Sequence, residues 1–100
     1  MLDKAEAEKL AEMKLDELAL STGIEMLLAR EQTISLDRGW LFFYNSAEFL
    51  KTGDPSSALA GNGPILVSHD GLTHILPSAI PWDIALQRLY AGSDAEQTDK

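Results

Sequence analysis

Apolar residues recur at helical spacing near both ends of the chain and at strand spacing between them. Residues 3–20 place a continuous apolar stripe on one helix face, which the stem of Lys14 can flank. This stripe consists of Ala7, Leu10, Ala11, Leu15 and Leu18. Gly23 predicts the end of this helix, because glycine readily adopts the left-handed conformation of a C-cap. Residues 81–90 predict a second amphipathic helix ending at Gly92, with an inner face made of Trp82, Ala85, Leu86 and Leu89.

Extended segments fill the middle of the chain. Residues 24–36 predict a strand that is interrupted around Glu31-Gln32, and Asp37 to Gly39 predict a turn. The next strand is "WLFFY", residues 40–44, whose side chains alternate between two apolar faces. Trp40, Phe42 and Tyr44 share one face, and Leu41 and Phe43 share the other. Such a strand lies centrally in its sheet and is covered on both sides, or covered on one side and partly shielded on the other.

A short helical connection follows the aromatic strand. Asn45 or Ser46 predicts its N-cap, and Glu48 stands at the capping-box position relative to Asn45. Gly53 predicts the end of this helix. The dipeptide Asp54-Pro55 then starts another helical turn, because an acidic cap followed by proline suits the first helical position.

A hairpin completes the strands. "AGNGP", residues 60–64, breaks the chain, and "ILVSHDGLTHIL" then alternates around an Asp-Gly turn. With a two-residue loop at Asp70-Gly71, Val67 pairs with His74 and His69 pairs with Leu72. Both histidines would then lie on one face of the hairpin.

This order of elements predicts an α+β fold. We expect a four-stranded, mainly antiparallel sheet, with the N-terminal and C-terminal helices packed on one of its faces and a short helical connection between strands 2 and 3. One hundred residues suffice for one core, so residues 1–92 are expected to form a single domain. Residues 93–100 are expected to form a flexible acidic tail.

The charge balance narrows the class of partner. Sixteen acids against eight bases give a formal charge of −8, and the bases form no stripe, so binding to nucleic acid is not expected. A basic protein would be attracted, although an acidic surface also serves solubility alone. No cysteine is present, and no uncharged apolar block resembles a secretory signal or a membrane span. A cytoplasmic protein without membrane association is therefore expected.

Two histidines are the first candidates for chemistry. His69 and His74 flank the hairpin turn with Asp70 close by, and this trio could hold a metal. No third ligand follows at a fixed spacing, so solvated hairpin histidines are the favoured interpretation. We predict neither a metal nor a cofactor.

Other candidate catalytic groups also have simpler explanations. None of the serines lies in a Gly-x-Ser-x-Gly elbow, and several stand where helix starts require hydroxyls. Glu48 and Asp54 flank the short helix, but sixteen acids make some close pair unavoidable. Trp40, Phe42 and Tyr44 could stack a ligand, yet strand aromatics beside amphipathic helices are typical of a core. No catalytic residue is predicted.

Three motifs in order carry a family resemblance. "GWLFFYNSAEFLKTGD", residues 39–54, followed by "ALAGNGPILV", residues 58–67, resembles the immunity protein 35 family, also described as YrhB-like proteins. The resemblance extends over about residues 24–90. It implies a small bacterial cytoplasmic protein that neutralises a polymorphic toxin by direct binding, and not an enzyme. The charge of −8 would suit a basic, nuclease-like toxin domain.

Exposed positions are the candidates for partner binding, in contrast to motif residues such as Trp40 and Gly53 that are expected to set the fold. They are Glu25, Glu31, Asp37, Arg38, Glu48, Asp54, His69, Asp70 and His74. Two alternatives stay open beside the immunity protein: a small chaperone-like protein-binding module, and a small enzyme that uses His69 or His74. An open four-stranded sheet also leaves two edges through which a homodimer could form.

Overall fold

A computed structural model describes residues 2–59, 63–77 and 80–89. The helices are α1 (Lys4–Thr22), α2 (Ala47–Thr52) and α3 (residues 82–89), with short 3-10 helices at Arg30–Gln32 and Pro55–Ser57. The strands are β1 (Met26–Leu28), β2 (Ile34–Leu36), β3 (Gly39–Phe42), β4 (Tyr44–Ser46), β5 (Ile65–Ser68) and β6 (Thr73–Ile75). None of these helices combines the length and apolar composition that crossing a membrane requires. Asn62, Gly92 and the predicted tail at 93–100 lie outside the described residues.

The strands form two antiparallel sheets, so the α+β class and the four-stranded sheet are confirmed. The larger sheet has the order β2-β3-β5-β6, and the smaller one pairs β1 with β4. The predicted interruption around Glu31-Gln32 is a 3-10 helix, which separates β1 from β2. The aromatic run is also divided between the two sheets. Strand β3 ends at Phe42, Phe43 belongs to neither strand, and Tyr44 pairs with Leu28 in the smaller sheet.

The central strand β3 is buried on both faces, which is the first of the two arrangements that its alternation allowed. Trp40, Phe42 and Tyr44 pack with Ile65 and Val67 against α1. On this face α1 contributes the buried residues Ala7, Ala11 and Leu15, and Leu10 and Leu18 pack beside them. The aromatic run is therefore core, since Phe42 has no exposed surface and Trp40 has 9%.

The opposite face of the sheet is covered by α3. Leu41 and Leu66 pack there with Ala85 and Leu86, and the partly buried Trp82 and Leu89 complete the contact. The expectation that both terminal helices share one face is wrong. A single helical layer would have left Leu41 and Leu66 in water, although each is at most 1% exposed.

Local signals set the ends of the helices. Asp3 caps α1 through a capping box with Glu6, and Gly23 ends it in the left-handed conformation at φ 75°. Ser46, rather than Asn45, caps α2, because its hydroxyl accepts the N–H of Phe49. Gly53 ends α2 as predicted.

The hairpin differs from the prediction by one residue. Ser68 opposes Leu72, and the Ser68 N–H donates to the Leu72 carbonyl over 2.9 Å. The loop therefore contains three residues, with Gly71 at its end at φ 91°. A shift of one position turns side chains to the opposite face, so His74 pairs with Leu66 instead of Val67.

Gly39 lies in β3 beside the chain of β5, where a side chain has no room. A methyl group on its Cα would overlap the Val67 carbonyl oxygen and lie 2.7 Å from Ser68 Cα. Gly39 was predicted as a turn residue, and the structure gives it this additional role. Gly53, by contrast, has open space around it and requires only its left-handed backbone.

We predict that Gly39→Ala destabilises the protein more than Gly53→Ala does. Overpacking against rigid backbone should cost about 2 kcal/mol or more in free energy of unfolding. The left-handed alanine at position 53 should cost about 1 kcal/mol. Urea unfolding of both variants measures the order, and equal losses would show that the β3–β5 approach relaxes easily.

Candidate protein-binding surface

Four of the candidate residues meet at one end of the larger sheet. Asp37 and Arg38 form the turn between β2 and β3, and His69 and Asp70 begin the turn between β5 and β6. The two turns are joined directly, because the His69 N–H donates to the Arg38 carbonyl over 2.9 Å. Charged groups of both signs are thereby brought to this end of the molecule.

His69 is held in place by the fold. Its ring stacks on the Trp40 indole, with ring centroids 4.7 Å apart and planes inclined by 16°. Its carbonyl accepts the N–H of Leu2 over 3.1 Å, which ties the start of the chain to this turn. His69 therefore closes one end of the α1-facing core, and its ring is only partly available to a partner.

Asp70 is an exposed carboxylate with a local hydrogen-bond partner. The Ser68 hydroxyl donates to its Oδ1 atom and also lies 3.3 Å from the Leu72 carbonyl. This side-chain hydrogen bond is the main reason that the pKa of Asp70 is lowered, with smaller contributions from backbone groups and from His74. The turn thus presents a fixed negative charge.

Asp54 presents a second fixed charge, just after α2 in the sequence. Its Oδ1 atom accepts the Ser56 N–H over 3.0 Å and the Ser56 hydroxyl over 2.9 Å, capping the second 3-10 helix. The backbone hydrogen bond is the larger cause of its lowered pKa, and the hydroxyl is the second.

The remaining candidates lie elsewhere. Glu25 and Glu48 are neighbours of the β1–β4 sheet, since the Glu25 carbonyl accepts the N–H of Ala47 over 2.9 Å at the start of α2. Glu31 is exposed on the first 3-10 helix, and His74 is exposed on β6. The nine candidates therefore lie on several separate elements, and they do not form a single patch.

The proposed histidine pair is separated by the hairpin register. His69 packs on Trp40 on the α1 side of the sheet, whereas His74 pairs with Leu66 and so shares the α3 side. The expectation of two histidines on one face is wrong for this reason. Among the residues that the structure describes, no group of three or more His, Asp or Glu side chains is arranged to hold a metal.

Exposed apolar residues are the feature that the sequence reasoning missed. Leu20 on the last turn of α1 is 88% exposed, and Ile24 and Leu27 are 42% and 41% exposed. A signal was present, because Leu20 falls outside the stripe that ends at Leu18. Leu27 likewise alternates with the inward-facing Met26 and Leu28 of β1.

Arg30 is a second residue that the sequence did not single out. Its guanidinium contacts Glu8 at 3.0 Å and Glu12 at 2.7 Å, both on α1. It thereby links the first 3-10 helix to α1. Arg30 is 22 and 18 residues from these two glutamates in the sequence, so no local sequence pattern predicts the contact. Because the guanidinium is exposed, these ion pairs contribute modestly to stability.

The family model for immunity protein 35 matches residues 5–91, and the chain therefore belongs to the immunity protein 35 family. The chain is also 43% identical over 51 residues to the uncharacterized protein YrhB of Escherichia coli strain K12. That match covers 50% of this chain and 54% of YrhB, about half of each. No solved structure gives a significant match.

We predict that the carboxyl pKa values of Asp70 and Asp54 respond differently to loss of the neighbouring hydroxyl. Ser68→Ala removes the main cause at Asp70, so its pKa should rise toward the ordinary value of 3.8. Ser56→Ala leaves the larger backbone hydrogen bond in place, so the pKa of Asp54 should stay lowered. Carboxyl carbon NMR titration measures both values.

The same shifts set a direction for stability against pH. A carboxylate with a lowered folded-state pKa stabilises the protein above about pH 4. That contribution disappears as the pH falls through the lower, folded value. The acid sensitivity of stability should therefore weaken in Ser68→Ala, and an unchanged Asp70 pKa in that variant would contradict the hydrogen-bond explanation.

Proposed function

We propose that this protein binds a cognate bacterial toxin domain and neutralises it by stoichiometric occlusion. The observation that carries the proposal is the family match, which extends over residues 5–91 and so includes almost the whole described chain. The family suggests a role without catalysis. The packing agrees with that role, because Trp40, Phe42 and Tyr44 are buried in the hydrophobic core.

The partner that suits this surface is basic. The net charge of −8 would accelerate encounter with a positively charged domain, as expected for a nuclease-like toxin that must itself approach phosphate. A toxin that acts inside the cell would be met in the cytoplasm, where we place the immunity protein. Nucleic acid and membrane surfaces are not part of this proposal.

A chaperone-like binding module is the second candidate, and one observation favours it. Both sheets end in strands with one hydrogen-bonded neighbour, and apolar side chains such as Leu72 and Leu27 are exposed near those edges. A module of this kind would hold many unrelated chains weakly. An immunity protein instead binds one partner tightly and at fixed stoichiometry.

The test is co-expression with candidate toxin domains taken from effector genes that neighbour this gene, measured as growth and as complex formation. We expect growth to be restored and the two purified chains to form one complex of fixed 1:1 or 2:2 composition by light scattering. Its association rate should fall as salt rises, since screening weakens steering. An unrelated toxin domain is the control.

Two results would contradict the proposal. Failure of the purified chains to associate, with both folded, would remove the immunity role. Equal binding to the cognate domain, the unrelated domain and an unfolded model protein would favour the chaperone-like module instead.

A further inference from the structure

Strand β6 is an open edge of the larger sheet. It pairs with β5 on one side, and no other described strand pairs with it. The Ser68 N–H donates to the Leu72 carbonyl over 2.9 Å. Because hydrogen-bonded positions alternate in an antiparallel pair, the backbone of His74 also faces β5, and the N–H and C=O groups of Thr73 and Ile75 point away from it. These outward groups can bond to a further strand.

The side chains of β6 lie on both faces of this edge. Ile75 lies on the α1 face, because it pairs with Ile65 of the α1-facing core. Leu72 and His74 lie on the α3 face, as Leu66 does. Leu72 is 57% exposed and Ile75 is 39% exposed. One added strand would cover both residues, because its own side chains alternate between the same two faces.

The edge formed by β6 is uncharged, unlike the edges formed by β1 and β2. Residues 71–82 contain no Asp, Glu, Lys or Arg, although these residues make up 24% of the chain. By contrast, Glu25 lies next to β1, and Asp37 and Arg38 follow β2. Charge beside an edge strand opposes pairing with another copy, so β6 lacks a protection that the other two edges have. A basic partner likewise finds no acid to contact along residues 71–82.

Two copies of β6 complement each other in one antiparallel register. With the two His74 residues opposite each other, Thr73 of each copy lies opposite Ile75 of the other. Every outward N–H and C=O group of these two residues then gains a partner. A register centred on Ile75 would place Thr73 opposite Pro77, which has no N–H. A register centred on Thr73 would place Ile75 opposite Gly71, which lies in the turn at φ 91°.

The same register brings apolar groups together and keeps charges apart. Leu72 of each copy lies opposite Leu76 of the other on the α3 face, and Thr73 with Ile75 forms a β-branched pair on the α1 face. The two Asp70 residues would be roughly 25 Å apart, at the strand rise of about 3.3 Å per residue. This separation exceeds the Debye length of about 8 Å at physiological ionic strength, so their mutual repulsion is largely screened.

We propose that β6 pairs with β6 of a second copy of this chain, in the antiparallel register centred on His74. The four-stranded sheets of the two copies then become continuous. This contact goes beyond toxin binding and does not rest on it. A dimer of this kind makes 2:2 the expected composition of a toxin complex.

A matched set of variants tests the register. His74→Glu places two carboxylates directly opposite each other at the centre of the contact, and His74→Lys places two ammonium groups there. Like charges at directly opposed positions destabilise a strand pair. Ser35→Glu is the control, because it changes the net charge as His74→Glu does. Ser35 is also exposed, and it lies on β2, the other edge strand of the same sheet.

Sedimentation equilibrium of the isolated protein measures the dissociation constant of the dimer, with circular dichroism as the check on folding. The measurement is made at pH 8, where an imidazole is neutral. Because the contact is short, we expect a dissociation constant of about 10–100 µM for the wild type. Each His74 variant should dimerise about tenfold or more weakly, and Ser35→Glu should stay within about threefold of the wild type.

Mixing the two His74 variants provides the sharpest result. An equimolar mixture of His74→Glu and His74→Lys should associate at least as tightly as the wild type, since opposite charges then meet at the centre of the contact. Added salt should strengthen the wild-type dimer, because it screens the repulsion between two acidic copies. Salt would have the opposite effect on association with a basic partner.

Amide hydrogen exchange is a second measurement and needs no variant. Exchange at Thr73 and Ile75 should slow as the protein concentration rises through the dissociation constant, whereas exchange at Ser35 should not change. If a His74 variant does not fold, this measurement decides alone, and exchange at Thr73 and Ile75 that is independent of concentration overturns the inference.

Other outcomes also overturn the inference. A wild-type protein that stays monomeric at about 1 mM has no such contact. Dissociation of the dimer by Ser35→Glu and not by the His74 variants assigns the contact to β2. Folded His74→Glu and His74→Lys variants that do not associate when mixed exclude the register centred on His74. Toxin binding is measured separately by the co-expression test, so failure of the dimer and failure of the proposed function are distinguishable.

Discussion

Burial of β3 on both faces is the constraint on which this fold depends. Phe42 and Leu41 point in opposite directions and both are fully buried, so the strand requires a helix on each side. Burial of each such side chain is worth about 1.5–3 kcal/mol. The close approach of β5 at Gly39 then holds the central pair of strands together. Every other element is placed by what it covers or extends.

Much of this arrangement followed from residue spacing. Local sequence patterns predicted the apolar stripe of α1, the glycine that ends this helix and the two apolar faces of the aromatic strand. The side of the sheet that α3 covers was predicted wrongly, although the two apolar faces of the aromatic strand carried the signal for it. A strand apolar on both faces needs two covers, and α1 can supply only one, so α3 had to take the face of Leu41.

The hairpin register and the second sheet could not be derived in the same way. An Asp-Gly pair fits both a two-residue loop and a three-residue loop with glycine last, and the choice depends on pairing between β5 and β6 along their length. The departure of Tyr44 into a separate sheet depends on β1 pairing with β4, which is a contact distant in sequence. The hairpin register and the second sheet both depend on contacts between strands, and a local sequence pattern does not contain those contacts.

Charged side chains can protect an open strand edge such as that of β1, which pairs with β4 and with no other described strand. Strands with a free edge invite pairing with other copies, and proteins commonly protect them with charge. In this chain Glu25 lies beside β1, where its negative charge would repel the same residue of another copy and would attract a basic chain.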